Sequence, residues 1–198
     1  MPLDHFSFIA PLYARVTYSK ADVMREVAAL PVQGRLLDVG GGTGRVASAI
    51  REWVDEIVIA DESFGMLSRA PRSAPSTRFR QAQPASSGRR LLPVCGVSES
   101  LPFADDFFER VIMVDVLHHV ADHSQTAREM FRVLKPGGLL VVEEPDIRTF
   151  GVKLIALAEK LLLMRSHFLA PDAIMKLFDG GETITSSKDG TAWVVVKK

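Results

Sequence analysis

Glycine recurs at every second position in Asp38-x-Gly40-x-Gly42-x-Gly44, straight after the run Arg35-Leu-Leu-Asp-Val39. A glycine-rich turn between a strand and a helix lets backbone N–H groups close on a ligand and aims the helix N-terminus at negative charge. A nicotinamide site wants a third glycine where Arg45 stands, because that residue allows the helix to pack closely on the strand. Asp38 points to another ligand. A carboxylate two residues before the first glycine can hold an ammonium group, directly or through water, and offers a pyrophosphate nothing. A second acid, Asp61, closes the next apolar run, Ile57-Val-Ile-Ala60. It falls about 20 residues beyond the loop, where a carboxylate can take both hydroxyls of a ribose. The two acids predict a ligand with an amino acid at one end and a nucleoside at the other, which describes S-adenosylmethionine.

His118 and His119 stand just past Val111-Ile-Met-Val114, on the rim where open α/β sheets bind ligands. Imidazole titrates near neutral pH, so a histidine there can take a proton from a phenol or an acidic carbon. Capping the strand-to-helix turn is the competing role. His119 is the candidate catalytic group. Glu143 and Glu144 end the fifth apolar run on the same rim, where structural hydrogen bonds are expected of them. His5, His123 and His167 have no spacing that suggests chemistry. The lone Cys95 cannot form an internal disulfide, and no cysteine–histidine cluster has zinc spacing, so no metal site is expected.

These groups need a scaffold, and the pattern from Arg35 to Val142 supplies one: short apolar runs alternate with amphipathic segments, as in parallel strands joined by crossover helices. Strands are predicted at 35–39, 57–60, 91–95, 111–114 and 139–142. The helix after the glycine cluster is predicted to bury Val46, Ile50, Trp53 and Val54, and the next is cut short by Pro71 and Pro75. A helix from Ser124 to Leu134 turns Ala127, Met130, Phe131 and Leu134 inward and stops at Lys135-Pro-Gly-Gly138. Further helices are expected over 152–164, unusually apolar, and 171–178. Lys188-Asp-Gly190 between 183–187 and 191–196 reads as a β-hairpin turn.

Twenty-four Lys+Arg balance 24 Asp+Glu, which argues against wholesale nucleic-acid binding by a basic surface and leaves room only for a local patch. The 198 residues can bury a full core without staples. The N-terminus lacks the pattern of a signal peptide and no run is long enough to span a bilayer, so a cytoplasmic protein is expected. Between Glu62 and Glu99 there is no acidic residue, while Arg69, Arg72, Arg78, Arg80, Arg89 and Arg90 sit among Pro, Ser, Gln and Gly. That shift marks a long solvated loop, either a soluble insertion or a patch for anions or a partner.

The chain resembles the class I S-adenosylmethionine-dependent methyltransferases, in particular the group of the ubiquinone and menaquinone C-methyltransferases. The resemblance is carried by Phe6-Ser-Phe-Ile-Ala-Pro-Leu-Tyr13, Leu36-Leu-Asp-Val-Gly-Gly-Gly-Thr-Gly44, Gly96-Val-Ser-Glu-Ser-Leu-Pro-Phe103, Leu117-His-His-Val120 and Arg132-Val-Leu-Lys-Pro-Gly-Gly138. It implies an α/β, Rossmann-like fold: a seven-stranded, mainly parallel sheet with a C-terminal antiparallel hairpin and helices on both faces. It implies one methyltransferase domain over 1–198, with N-terminal lid helices in 1–30 and the flexible arginine-rich insertion at 71–90. Asp38, Gly40 and Gly42 would hold the methionine part of the cofactor and Asp61 the ribose, with Tyr13 in a segment closing over the site. Glu62, Val97, Ser98 and Asp115 complete the expected cofactor set.

Val97 is a departure, since the family usually has an aspartate there to bond the adenine amino group. Adenine would then rely on Ser98, on Glu99 or on apolar contact, at a loss of about 1.5–3 kcal/mol for a charge-assisted hydrogen bond. The expected activity is in-line methyl transfer to a small molecule, and the apolar 152–164 helix suggests a lipophilic acceptor. Packing on the sheet or a homodimer contact is the other use of that surface. Three further readings stand beside this one. They are a non-catalytic S-adenosylmethionine-binding module whose arginine-rich loop recruits a partner, a nicotinamide oxidoreductase, disfavoured by Arg45 and Asp38, and an RNA methyltransferase, which would need a strong salt dependence.

Overall fold

A computed structural model describes residues 19–71, 90–161 and 166–198, with the backbone alone at 155 and 158–161. Tyr13, most of the expected lid and nearly all of the arginine-rich insertion lie outside the described residues. The strands are β1 (Val32–Val39), β2 (Val54–Asp61), β3 (Arg90–Cys95), β4 (Phe108–Val114), β5 (Leu134–Pro145), β6 (Glu182–Lys188) and β7 (Thr191–Lys197). The helices are α1 (Ala21–Val27), α2 (Arg45–Ile50), α3 (Phe64–Leu67), α4 (His123–Val133), α5 (Phe150–Leu161) and α6 (Pro171–Met175).

The seven strands form one sheet in the order β3-β2-β1-β4-β5-β7-β6. The first five run parallel, while β7 lies antiparallel to β5 and β6 antiparallel to β7. This is the predicted sheet, hairpin included. Asp189 and Gly190 both have positive φ (51° and 78°), as a tight turn matching the twist of its strands requires.

Side chains alternate across a strand, so a sheet covered on both faces must be apolar at successive positions. Leu36, Ile57, Ile59, Ile112 and Val141 face one way, against Met24 of α1 and Val46 and Ile50 of α2. Leu37, Val58, Val111, Met113 and Leu140 face the other way, against Ala127, Met130 and Val133 of α4 and Ile174 of α6. Pro93 sits inside β3 opposite Ile59, and its missing N–H is tolerated because β3 is an edge strand.

Three local expectations change. Val54 does not continue the helical stripe: α2 ends at Ile50, a 3-10 turn (Arg51–Trp53) follows, and Val54 opens β2 opposite Val32. Lys135-Pro-Gly-Gly138 is not a loop but the first part of β5. There Gly137 N donates to Lys198 O (2.7 Å) and Lys198 N to Gly138 O (3.2 Å), so the end of the chain supplies the partners that local sequence cannot reveal. Helix α6 stops at Met175, although Phe178 beyond it is still buried.

Candidate active site

The sheet reverses its strand order between β1 and β4, and ligands in open α/β sheets bind at such a switch point, beyond the carboxyl ends of the strands. The glycine loop leaves β1 there. Gly40 N and Gly41 N both donate to Ala60 O at the end of β2 (2.7 and 3.2 Å), folding the loop across the neighbouring strand. Gly40 has φ +70°, and a Cβ at that position would lie 2.4 Å from Val116 Cγ1. A Cβ on Gly41 would lie 2.6 Å from Asp38 Oδ2. Only glycine therefore allows the backbone to lie so flat over Asp38 and under Val116.

Asp38 is buried, and its Oδ2 has no hydrogen-bond partner among the described residues. Burial pushes its carboxyl up to about 7, against the pull of the Arg45 charge; the Asp61 charge raises it further and the Ala47 amide lowers it. Asp61, at the tip of β2, accepts from Gly42 N through Oδ2 (2.9 Å) and from Ser63 N through Oδ1 (2.8 Å). It thereby ties the glycine loop to the start of α3, where the Ser63 hydroxyl caps the helix by accepting from Met66 N.

Arg45 and Asp115 line the same cavity and are paired, Nη2 to Oδ2, at 2.7 Å. Asp115 holds φ +56°, a left-handed conformation that aspartate tolerates better than most residues, and its N–H donates to Glu143 O (2.9 Å). In the sequence Arg45 speaks only against a dinucleotide site. Its place in the site comes from the turn into α2, which aims it back across the loop.

On the β3 side the cavity is lined by Gly96, Ser98, Glu99 and Leu101. The Ser98 hydroxyl donates to Glu99 Oε2 (3.1 Å), and Glu99 Oε1 accepts from Ala121 N (3.0 Å) and Asp122 N (3.3 Å). Glu99 thus fastens its loop to the approach to α4. Val97 is exposed and does not line the cavity. Arg132 holds the rest of the loop, donating to Leu101 O (3.1 Å), Phe103 O (2.9 Å) and Asp105 Oδ1 (2.6 Å).

The opposite rim carries both histidines, on a 3-10 turn (Leu117–His119) after β4. Glu144 of β5 accepts from Val116 N (2.9 Å) and Leu117 N (2.7 Å) through Oε1 and meets His118 Nδ1 through Oε2 at 2.5 Å. Phe168 stacks on the His118 ring, with centroids 4.3 Å apart. His119 Nδ1 lies 3.3 Å from Ser166 Oγ. Glu143 has the structural role expected of it, accepting from Lys20 Nζ and from Trp193 Nε1, both at 2.8 Å.

Of the expected cofactor residues, Gly40, Gly42, Asp61, Glu62, Ser98 and Asp115 line one cavity of about 470 Å³, within the range of small-molecule sites. Asp38 lies behind its glycine wall, and both histidines line the cavity. Phe168 joins them from a distant segment that gave no sequence signal. None of the described side chains of α5 lines it: Val152 is buried elsewhere, and Phe150, Leu154 and Leu157 are exposed. The residues fit S-adenosylmethionine. A buried carboxylate oxygen without a partner, a glycine wall with no side chains, a carboxylate at the tip of β2 and a cation–anion pair for a zwitterion are what that molecule requires.

The class defined by this sheet and site is that of the class I methyltransferases, whose cofactor is S-adenosylmethionine. Residues 37–142, more than half of the chain, match the family described as the methyltransferase domain, and the chain belongs to it. Within it the chain is similar to the demethylmenaquinone methyltransferase of Renibacterium salmoninarum, at 36% identity over 129 residues, covering 65% of this chain and 48% of that protein. It is also similar to the ubiquinone/menaquinone biosynthesis C-methyltransferase UbiE of Vibrio vulnificus, at 34% over 119 residues, covering 56% and 40%. The chain spans about half the length of these curated relatives. A solved structure from Thermotoga maritima, described as a possible histamine N-methyltransferase, shares the fold with a TM-score of 0.72 at 22% identity, covering 98% of each chain.

Proposed function

We propose that this chain is an S-adenosylmethionine-dependent methyltransferase acting on a small molecule by in-line transfer. The observation that carries the reading is the convergence of Asp61, Asp115 and the Gly40–Gly42 wall on one cavity, with Asp38 buried against that wall. When bound, the cofactor supplies a methyl group already activated on a sulfonium. The protein's work is then to place the acceptor and exclude water. Asp38, Arg45 and Asp115 would hold the amino acid end, Asp61 and Glu62 the ribose, and Ser98 and Leu101 the adenine side, where Val97 adds no side-chain contact. His119 would touch the acceptor, and Tyr13, in the 1–30 segment, would close over it.

The names of the curated relatives support a lipophilic quinol as the acceptor, with a short-chain demethylmenaquinol as the first compound to try. In this reading the whole chain is one cytoplasmic methyltransferase domain, and the exposed apolar side of α5 serves a homodimer contact. Among the described residues no helix is long and apolar enough to cross a membrane.

The test is a thermal-shift titration with S-adenosylmethionine, S-adenosylhomocysteine and NAD on the wild type and on the Asp38→Ala and Asp61→Ala variants. A ligand at 100 times its Kd stabilises by about 2.7 kcal/mol. A shift with the two adenosyl compounds only, lost in both variants, is expected; no shift at millimolar ligand would overturn the reading. Transfer of labelled methyl to the demethylmenaquinol then tests the activity.

A further inference from the structure

We propose that His118 is the general base of the transfer and that Glu144 is the positioning residue behind it. The inference rests on the methyl-transfer reading above. It is motivated by a buried carboxylate–imidazole pair on the cavity wall, for which a cap of the turn is an insufficient account.

Glu144 is already satisfied as a structural group by the amides of Val116 and Leu117 on Oε1. Its second oxygen, Oε2, is committed to His118 Nδ1 at 2.5 Å, and both side chains are almost wholly buried, at 4% and 6% exposure. With Oε1 accepting from two backbone amides and Oε2 facing the ring, we place the ring proton on Nδ1, donated to Glu144, and the lone pair on Nε2. That is the tautomer of a base. The ring is also held from other directions, since Phe168 stacks on it at an interplanar angle of 12° and the His119 ring lies 4.0 Å away, while the backbone of the turn is fixed by His167 N donating to the His118 carbonyl (2.7 Å). Among the described residues, Glu144 and His119 are titratable groups set against it. His119 has a neutral hydroxyl, Ser166 Oγ, at its Nδ1 in place of a carboxylate. A proton taken up by His118 is therefore compensated by the Glu144 carboxylate in a dry site.

In the step assigned to His118, the acceptor's X–H proton moves to the imidazole. The pair released on X forms the new bond to the methyl carbon, either directly or, in a quinol methylated on carbon, through the conjugated ring carbon, which then loses its C–H proton as the oxygen regains one. The departing thioether keeps the electrons of the broken sulfur–carbon bond, and the imidazolium later yields its proton to water. Acceptors with an ionisable O–H, such as a quinol, require this base.

The experiment compares wild type, His118→Asn and Glu144→Gln. Glutamine can still accept from the Val116 and Leu117 amides, but its NH2 would face Nδ1 and impose the opposite tautomer. In the protein without ligand, ¹⁵N NMR of the ring is expected to show Nδ1–H in the wild type and Nε2–H in Glu144→Gln. With short-chain demethylmenaquinol as acceptor, His118→Asn is expected to lose about 10²–10⁴-fold in kcat, the usual contribution of a general base. Its S-adenosylhomocysteine affinity by calorimetry should stay within about threefold. Glu144→Gln should lose about 10²-fold and move the acid limb of the pH–rate profile to lower pH by about one unit, because a carboxylate neighbour favours the imidazolium.

An Nε2–H tautomer in the wild type, or a His118→Asn variant that keeps its kcat, would overturn the assignment while leaving methyl transfer intact. If the wild type binds the cofactor and transfers no methyl group, the functional reading falls, and the base falls with it. If Glu144→Gln melts early yet keeps its kcat and pH profile, Glu144 is structural only.

Discussion

Asp38 should make the fold less stable as the pH rises, and replacing it should remove that dependence. In the unfolded chain its carboxyl has the ordinary value of 3.8, whereas burial in the folded chain raises it to about 7. Between those values the folded state holds a proton that the unfolded state has released, so stability falls as pH climbs from about 4 to about 7 and levels off above. Each pKa unit corresponds to about 1.4 kcal/mol, so the full penalty is roughly 4 kcal/mol, of which roughly 2–3 kcal/mol develops between pH 5 and pH 8. Asp38→Asn cannot titrate. Its amide is left without a partner where Oδ2 now is, at about 1–3 kcal/mol, but that cost is the same at both pH values.

Urea unfolding of both proteins at pH 5, 6, 7 and 8 isolates the effect. The stability of Asp38→Asn minus that of wild type should rise by roughly 2–3 kcal/mol over this range, whatever its starting value. Saturating S-adenosylhomocysteine should narrow the gap, because an ammonium group beside Asp38 restores the ionised carboxylate without penalty. A difference that stays flat with pH would refute both the buried, ligand-seeking carboxylate and its proposed task.

Other substitutions probe separate parts of the site. Asp61→Ala removes the acceptor for Gly42 N and Ser63 N as well as the proposed ribose ligand; S-adenosylhomocysteine binding by calorimetry should weaken by about 2–4 kcal/mol, and an unchanged Kd would exclude it from the ribose site. Gly40→Ala drives a Cβ into Val116 at a positive φ, and denaturant melts should show a loss of at least about 2 kcal/mol; near-neutral behaviour would mean that the loop lies elsewhere. Val97→Asp restores the carboxylate usual at that position, but Val97 is exposed and outside the cavity lining, so adenosyl-ligand binding by calorimetry should stay within about threefold; a gain of about tenfold, the effect of one charge-assisted hydrogen bond, would mean that adenine reaches position 97.

The elements that proved legible are those whose signal is local. The inner parts of β2 and β4, 57–60 and 111–114, are continuous apolar runs because both faces of the sheet are covered, and Asp189-Gly190 specifies its own turn. The glycine loop and Asp61 were likewise readable, since a close backbone approach demands glycine and a strand tip presents its last side chain to the crevice. Strand ends were less so. Whether Lys135-Pro-Gly-Gly138 pairs depends on the arrival of Lys198, sixty residues later, and whether Val54 is helix or strand depends on where Val32 waits for it.

Chemistry between distant segments was the least accessible. The sequence by itself determined the α/β plan, the glycine cradle and the two acids that mark a ligand with an amino acid and a ribose, because periodicity and backbone sterics act over a few residues. The tertiary structure alone decided that Arg45 reaches Asp115, that Val97 faces away from the cavity, and that Glu144 stands behind His118 with Phe168 stacked on the ring. Each of these follows from which strands are neighbours and which way a turn aims a side chain, and sheet order brings β4 beside β5 without leaving a trace in either strand's own residues.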